Sequence, residues 1–272
     1  MCTLKITKAM VLGISILFIT SMLTTTSHTK IDKDSIVGLW LLDDIEDNEA
    51  EDSSGNGHNG AIKGNPIPDD GKFGESLTFN GSGDYVDCGN ADALNLGIFT
   101  VSFWAKFPAS QGWNHMVSKG DHVASGTPGS VNWGVMMRSG EARFLYEIFE
   151  DVKWVGISAP AVPVDEWQHL TATYDGDKME LFLNGISMGA SAGVKVKLDA
   201  TRSFLIGARS SAGGGASHFN GNLDEVALFS EVLPLEDIQA LMNDGIVETI
   251  QIFAVSPAGK AAATWAEIKA QY

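Results

Sequence analysis

The stretch 165–185, DEWQHLTATYDGDKMELFLNG, gathers acidic, aromatic and imidazole side chains of the kinds that bind ligands or transfer protons. Polar and apolar residues alternate on both sides of an Asp-Gly turn signal, and an Asn-Gly dipeptide closes the stretch, which predicts two strands of a β-meander. No G-x-S-x-G, H-E-x-x-H or Ser/His/Asp grouping accompanies His169 as a catalytic partner. We expect this stretch to be scaffold, with the ligand-binding surface on loops elsewhere.

Carboxylate pairs are a second possible source of catalysis, since a retaining glycosidase needs two carboxyl groups about 5–5.5 Å apart. The nearest candidates are Asp44 with Glu46, and Glu147 with Glu150. A strand presents such a pair two or four positions apart, and neither candidate does so in the middle of a predicted sheet. We therefore predict that the protein is not an enzyme. The alternative is a polysaccharide-degrading glycoside hydrolase or lyase with an atypical site at Glu147 or Glu150.

Tryptophans in the middle third of the chain are candidates for ligand binding, because aromatic faces stack on sugar rings and neighbouring polar groups fix the orientation. The candidate ligand-binding residues are Trp113, Asn114, Trp133, Arg138 and Trp154. For each tryptophan, a place in a sheet or in the core is the alternative.

Asp224 is the most informative acidic residue. Alternation over 222–229 places it on one strand face with Val226 and Leu228. If that face points inward, the carboxylate needs a cation or several hydrogen-bond donors. Calcium fits, because it accepts carboxylate and carbonyl oxygens in flexible numbers. The alternative without a metal is that backbone amides of the 52–60 loop satisfy Asp224.

Short strands must position these residues. About a dozen strand-like runs separated by glycine turns predict an all-β, two-sheet antiparallel sandwich. Segments 76–79 and 85–86 flank a glycine-rich turn and are expected to form a hairpin. One helix is predicted after the last core strand, from Pro234 to Gly245. A strand-like piece at 249–255 and a short amphipathic helix are expected in the tail, 246–272.

The N-terminal segment is typical of a secretory signal peptide. Two lysines precede an apolar run at 9–19 that is short for a membrane span, and a Thr/Ser-rich stretch follows. We predict that residues 1–28 are removed on export, with an uncleaved membrane anchor as the alternative. Cys2 would be removed too, which leaves Cys88 without an intramolecular disulfide partner and excludes a cysteine-based zinc site.

Acidic residues dominate the chain that remains. Residues 1–28 hold two of the 18 basic residues and none of the 34 acidic ones, so 16 basic residues face 34 acidic residues after removal. Such a surface repels nucleic acid and anionic membranes. We therefore expect no nucleic acid as ligand and no membrane association after signal cleavage.

Several motifs in a fixed order resemble bacterial LamG-like jellyroll domains of the concanavalin A-like lectin/glucanase superfamily. These are W-x-H-L-x-x-x-Y-D-G at 167–176, DSSGNGHNG at 52–60, FTVSFW at 99–104 and G-x-L-D-E-V at 221–226. The resemblance covers roughly residues 36–245. It implies a jellyroll sandwich in a protein that is secreted or held at the cell surface.

The resemblance also implies a structural Ca²⁺ held by the first strand, the glycine-rich loop and the last strand. On this sequence those places are Asp43, Asp44, Asn59, Gly60 and Asp224. The implied function is non-catalytic recognition of a carbohydrate or an extracellular protein. A polysaccharide-degrading enzyme and a purely structural adhesion module are the alternatives.

Overall fold

The computed structural model describes residues 31–43, 45–108, 112–120, 131–137, 143–150, 153–196, 201–211 and 214–250, with only the backbone of some strand residues beside the gaps. The predicted signal peptide, 1–28, lies outside these residues, as does the tail from 251 to 272. Among the described residues, no helix has the length and apolar character needed to span a membrane.

The described residues form 19 strands, two short 3₁₀ helices at Lys33–Ser35 and Asp92–Leu94, and two α-helices, α1 (Leu235–Asp244) and α2 (Ile246–Ile250). In chain order the strands are β1 (Ile36–Trp40), β2 (Ile45–Glu46), β3 (Glu49–Ala50), β4 (Gly60–Lys63), β5 (Ile67–Asp70), β6 (Glu75–Asn80), β7 (Tyr85–Asp87), β8 (Phe99–Lys106), β9 (Asn114–Gly120), β10 (Val131–Met137), β11 (Arg143–Glu150), β12 (Lys153–Ala161), β13 (Gln168–Tyr174), β14 (Met179–Leu183), β15 (Ile186–Ser191), β16 (Phe204–Ile206), β17 (Arg209–Ser211), β18 (Gly214–Ala216) and β19 (Asn220–Phe229).

Two large antiparallel sheets confirm the predicted sandwich. The eight-stranded sheet has the order β15-β14-β13-β8-β19-β6-β5, with β1 paired to the far half of β19. The nine-stranded sheet has the order β12-β11-β10-β9-β16-β7-β4-β3-β2. The strand pair predicted from the Asp-Gly turn signal is present as β13–β14, and β10 pairs with β11 in the same antiparallel way. The fold is an all-β jellyroll sandwich with short helices after its last strand.

The main core lies between the sheets and is rich in stacked aromatic rings. Trp40 stacks on Phe204 with ring centroids 5.1 Å apart, and Phe99 stacks on Trp133 at 4.6 Å. A second, smaller apolar cluster lies on the outer face of the eight-stranded sheet, where Ile238 and Leu241 of α1 join a set contributed by β1, β14 and β19. Helix α1 therefore covers one part of that face and leaves the rest for other contacts.

Two local predictions are wrong. Strands β6 and β7 do not form a hairpin but belong to different sheets, so the turn between them crosses the sandwich. Buried Asp84 stabilises this crossing, because its carboxylate accepts hydrogen bonds from the amides of Asn65 and Asn80 at 2.8 and 3.0 Å. The strand predicted over 249–255 is wrong at its start, because residues 249 and 250 belong to α2. Ile246 and Ile250 of this helix pack into the second cluster.

Candidate functional site

A cleft of about 580 Å³ lies on the outer face of the eight-stranded sheet. Its walls come from the loop 71–74, the start of β13 with the residues before it, the β14–β15 turn and the end of α1. Three aromatic residues line it, Phe73, Trp104 and Trp167, together with the amide side chains of Gln168 and Asn184. We refer to this site as the cleft.

Trp104 reaches the cleft because β8 alternates strictly. Val101, Phe103 and Ala105 enter the main core, so Trp104 points to the opposite face. It is 5% exposed, with Phe73 packed edge-on at 6.1 Å and the ring of His169 at 5.0 Å. Its indole Nε1 is buried and has no hydrogen-bond acceptor among the described residues.

Hydrogen bonds fix the amide side of the cleft. Asn184 ends β14 with φ of 49°, and its Oδ1 accepts from the backbone amide of His169 at 2.9 Å. Its Nδ2 donates to Gln168 Oε1 at 2.8 Å. This bond orients the Gln168 amide, whose nitrogen makes no hydrogen bond within the described part of the chain. Gln168 thus presents a fixed donor at the cleft wall.

Two lysines lie over the tryptophans. Lys72 Nζ is 4.7 Å from the ring centroid of Trp104, and Lys106 Nζ is 5.0 Å from that of Trp167. Both distances are within the range of cation–π attraction. Glu166 is the one acidic residue among the described residues that line the cleft.

His169 lies behind Trp104 and is buried. Its Nε2 is 2.9 Å from Ser102 Oγ, and burial lowers its pKa to about 3. The imidazole is therefore neutral near pH 7 and bonded to a hydroxyl in the sheet, an arrangement that holds the sheet face together.

A β-bulge decides where Asp224 points. Glu225 has φ of 48°, and the β19–β8 register shifts between Asp224 and Ala227. The prediction that Asp224 shares a face with Val226 and Leu228 is wrong, because the bulge separates them. Asp224 lies opposite Trp104 on the outer face, although it is fully buried.

The loop 71–74 covers Asp224. Asp224 Oδ2 accepts hydrogen bonds from the backbone amides of Lys72 and Phe73 at 2.7 and 3.0 Å. The amides that satisfy this carboxylate thus come from the loop 71–74 and not from the loop 52–60. Its other oxygen, Oδ1, is buried without a hydrogen-bond partner among the described residues.

Asp43 and Glu225 complete a carboxylate cluster with Asp224. Asp43 Oδ1 accepts from the amide of Glu75 at 2.6 Å, and Glu225 accepts from the amide of Ile246 at 3.0 and 3.2 Å. Burial raises the pKa of Asp224 to about 7, and the Asp43 charge adds to this effect. Burial and the Asp224 charge raise the pKa of Glu225 well above its ordinary value.

The other predicted metal ligands have different surroundings. Asp44 lies outside the described residues. Asn59 Oδ1 accepts from the amide of Asp52, whose carboxylate in turn accepts from the amides of Leu39 and His58. Gly60 lies in the core, where a Cβ would approach Val86 to 2.2 Å. Among the described residues, no group of three His, Cys, Asp or Glu side chains is arranged to ligate a metal.

Among the predicted ligand-binding residues, those that the structure describes do not form one site. Trp113 is exposed at the start of β9, and the Asn114 side chain donates to the carbonyl of His218. Trp133 is only 4% exposed and belongs to the main core, so it offers no ring face to a ligand, which corrects that prediction. Arg138 and the Trp154 side chain lie outside the described residues.

Sequence reasoning missed the cleft residues Trp104, Trp167 and Gln168. All three lie in motifs that were assigned to the scaffold. The available signal was the position of Trp104 on the polar face of β8, opposite Phe103.

A family model for laminin G-like domains, described as "Concanavalin A-like lectin/glucanases superfamily", matches residues 80–239. No curated protein sequence matches the chain.

Solved structures share the fold at low sequence identity. The binding domain of Paraclostridial Mosquitocidal Protein 1 is 16% identical with a TM-score of 0.61, over 78% of this chain and 52% of that one. Domain 4 of an extracellular arabinanase from Geobacillus stearothermophilus, in complex with arabinotriose, is 18% identical with a TM-score of 0.60, over 77% and 98%. A Trypanosoma rangeli sialidase in complex with sialic acid is 16% identical with a TM-score of 0.59, over 77% and 33%. The chain thus spans about half of the toxin domain, a third of the sialidase and nearly all of the arabinanase domain.

Proposed function

The chain belongs to the concanavalin A-like lectin/glucanase superfamily, and from this premise we propose that it is a non-catalytic recognition module for a carbohydrate or an extracellular protein. Structures of similar fold include the binding domain of a mosquitocidal protein and an arabinanase domain in complex with arabinotriose, and they support a binding role in general terms. We also propose that the protein is exported through residues 1–28.

The cleft is the observation that carries the proposal, and it favours a carbohydrate as the ligand. Trp104 and Trp167 provide aromatic surface beside the oriented amide of Gln168. Apolar ring faces pack against the C–H faces of sugars, while a few fixed polar groups select their hydroxyl pattern.

The alternative of a hydrolase has weaker support at this site. His169 is neutral, buried and bonded to Ser102. The carboxylates of Asp224 and Glu225 are buried and accept backbone amides. The Asp224 and Glu225 carboxylates position the loop 71–74 and α2 through these hydrogen bonds. A carboxylate that is buried and already hydrogen-bonded is poorly placed to protonate a leaving group.

A structural Ca²⁺ at Asp224 and Asp43, with main-chain carbonyls completing its ligands, is part of the proposal. The buried Oδ1 of Asp224 has no partner among the described residues, and the charge of Asp43 acts on it, which suits a divalent cation. Bound calcium would supply positive charge that keeps these carboxylates ionised. Asp224 would then hold the loop 71–74, and with it Lys72 and Phe73, against the cleft.

The test is binding of the exported protein to a polysaccharide panel in calcium and in EDTA, with reducing-sugar release followed in the same wells. Binding that weakens in EDTA without sugar release supports a recognition module with a structural calcium. Sugar release would replace the proposal by an enzyme. Absence of binding to every polysaccharide would contradict glycan recognition and leave the adhesion module. For that module, deletion of residues 248–272 should abolish capture of a protein partner.

A further inference from the structure

We infer that the cleft selects sugars that carry a carboxylate, such as the uronic acid units of an acidic polysaccharide. This inference rests on the proposed function and names the ligand class of the same site.

The first observation is a pair of lysines at the cleft of an acidic protein, where Glu166 is the one acidic residue of the described lining. The whole chain has a net charge of −16, yet the lysines at the cleft, Lys72 and Lys106, make no ion pair within the described part of the chain. Asp69 lies close enough to Lys106 for that charge to lower the pKa of Asp69, so Lys72 is the lysine of the cleft lining that this inference uses. An ammonium without a carboxylate partner beside an aromatic wall is matched to an anionic ligand group.

The second observation is the unpaired indole of Trp104. A buried N–H without an acceptor is destabilising, so few such donors persist in folded proteins. Lys72 covers this ring at 4.7 Å, and its side chain is exposed. Its backbone, in contrast, is held by Asp224. The Lys72 side chain can therefore move while the loop 71–74 stays in place.

The third observation is a set of three hydrogen-bond donors at the cleft. Lys72 Nζ and Trp104 Nε1 can only donate, and the Gln168 oxygen already accepts from Asn184. A carboxylate offers two acceptor oxygens and a charge, which suits an ammonium and two neutral donors together. A neutral sugar would leave the ammonium unmatched. The second lysine, Lys106, follows Trp104 by two residues on the same strand face and extends the basic surface by roughly 7 Å along β8.

The experiment compares polygalacturonate with its fully methyl-esterified form, which keeps the sugar rings and removes the charges. Calcium is held in excess over carboxylate, and affinity is measured by isothermal titration on the full protein. We expect esterification to weaken binding by about tenfold or more, because it removes the charge-assisted hydrogen bonds that the carboxylate accepts. Lys72→Met should have a similar effect on polygalacturonate, Lys72→Arg should retain most of the affinity, and Lys63→Met, at an exposed lysine on the other sheet, should change nothing.

Equal binding of both polymers, or an unaltered affinity in Lys72→Met, would overturn the inference and leave the proposed function intact. Binding of neutral glycans alone would also overturn the inference and leave the proposed function intact. Failure of every glycan to bind would contradict both the inference and the proposed function.

Discussion

Replacing Asp224 by asparagine should stabilise the calcium-free protein at alkaline pH, although the substitution alters a fully buried residue. The side-chain oxygen of asparagine can still accept from the amides of Lys72 and Phe73, which Asp224 binds at 2.7 and 3.0 Å. What the substitution removes is a buried charge. The size of the effect on stability follows from the pKa of Asp224, which burial raises from 3.8 to about 7.

The sign follows from proton linkage. Between about pH 4 and pH 7 the unfolded chain has released the Asp224 proton while the folded chain keeps it, so the free energy of unfolding falls as pH rises. At 1.36 kcal/mol per pKa unit, this loss amounts to about 4 kcal/mol at pH 8 and is absent near pH 3. Glu225, whose pKa is also raised, adds a loss of the same sign. Exposed carboxylates with lowered pKa, such as Asp177, act in the opposite direction in both proteins.

The assay is urea denaturation of wild type and Asp224→Asn in EDTA at several pH values, compared as a difference so that shared titrations cancel. We expect the free energy of unfolding of the variant to rise relative to that of wild type from pH 4 to pH 8, by an amount on the order of 4 kcal/mol. In calcium the order should reverse, because the wild-type carboxylate would bind the ion. A pH-independent destabilisation of the variant in EDTA would refute the reasoning, and equal stability of wild type in calcium and EDTA at pH 8 would refute the calcium proposal.

Three further substitutions and one control test the framework of the site. Gly74→Ala should destabilise the protein by more than about 2 kcal/mol in thermal denaturation and weaken ligand binding, because φ is 69° and the new Cβ would lie 2.2 Å from Asp43 Oδ1. The control Gly55→Ala, where φ is 84° and no atom lies within 4 Å of the new Cβ, should cost only about 1 kcal/mol. Asn184→Ala should cost about 1–3 kcal/mol for the unpaired amide of His169, and in a binding titration it should also reduce affinity, since Gln168 loses its orientation. Trp133→Ala should cost about 3–5 kcal/mol by calorimetry but leave the affinity of the folded fraction unchanged, and a selective loss of affinity there would contradict its place in the core.

Local alternation was sufficient for much of the fold. The period-two pattern of β8 and the turn signal between β13 and β14 predicted their faces and their pairing, because each depends on residues adjacent in sequence. The crossing between β6 and β7 could not be predicted in this way, since a glycine-rich turn suits a hairpin and a change of sheet equally. What distinguishes them is Asp84, whose carboxylate reaches back to Asn65, 19 residues earlier.

The site depends on contacts between distant parts of the chain. Asp224 bonds to amides more than 150 residues earlier, and a bulge at Glu225 reverses the face that simple alternation assigns to it. Trp104, Gln168 and Asn184 meet only because β8 pairs with β13 and the β14–β15 turn folds back on His169. Their residue types predicted a scaffold, and only the strand register brings them to one cleft.

Equilibrium binding of wild type, Trp167→Ala and Trp113→Ala to the best glycan of the panel, with reducing ends counted in the same samples, tests the central claim most directly. Both tryptophans are at least partly exposed, so both variants should fold. We predict that Trp167→Ala loses about tenfold or more in affinity, that Trp113→Ala binds like wild type, and that no reducing ends appear. Unchanged binding in Trp167→Ala, or accumulation of reducing ends with wild type, would contradict recognition without catalysis at the cleft.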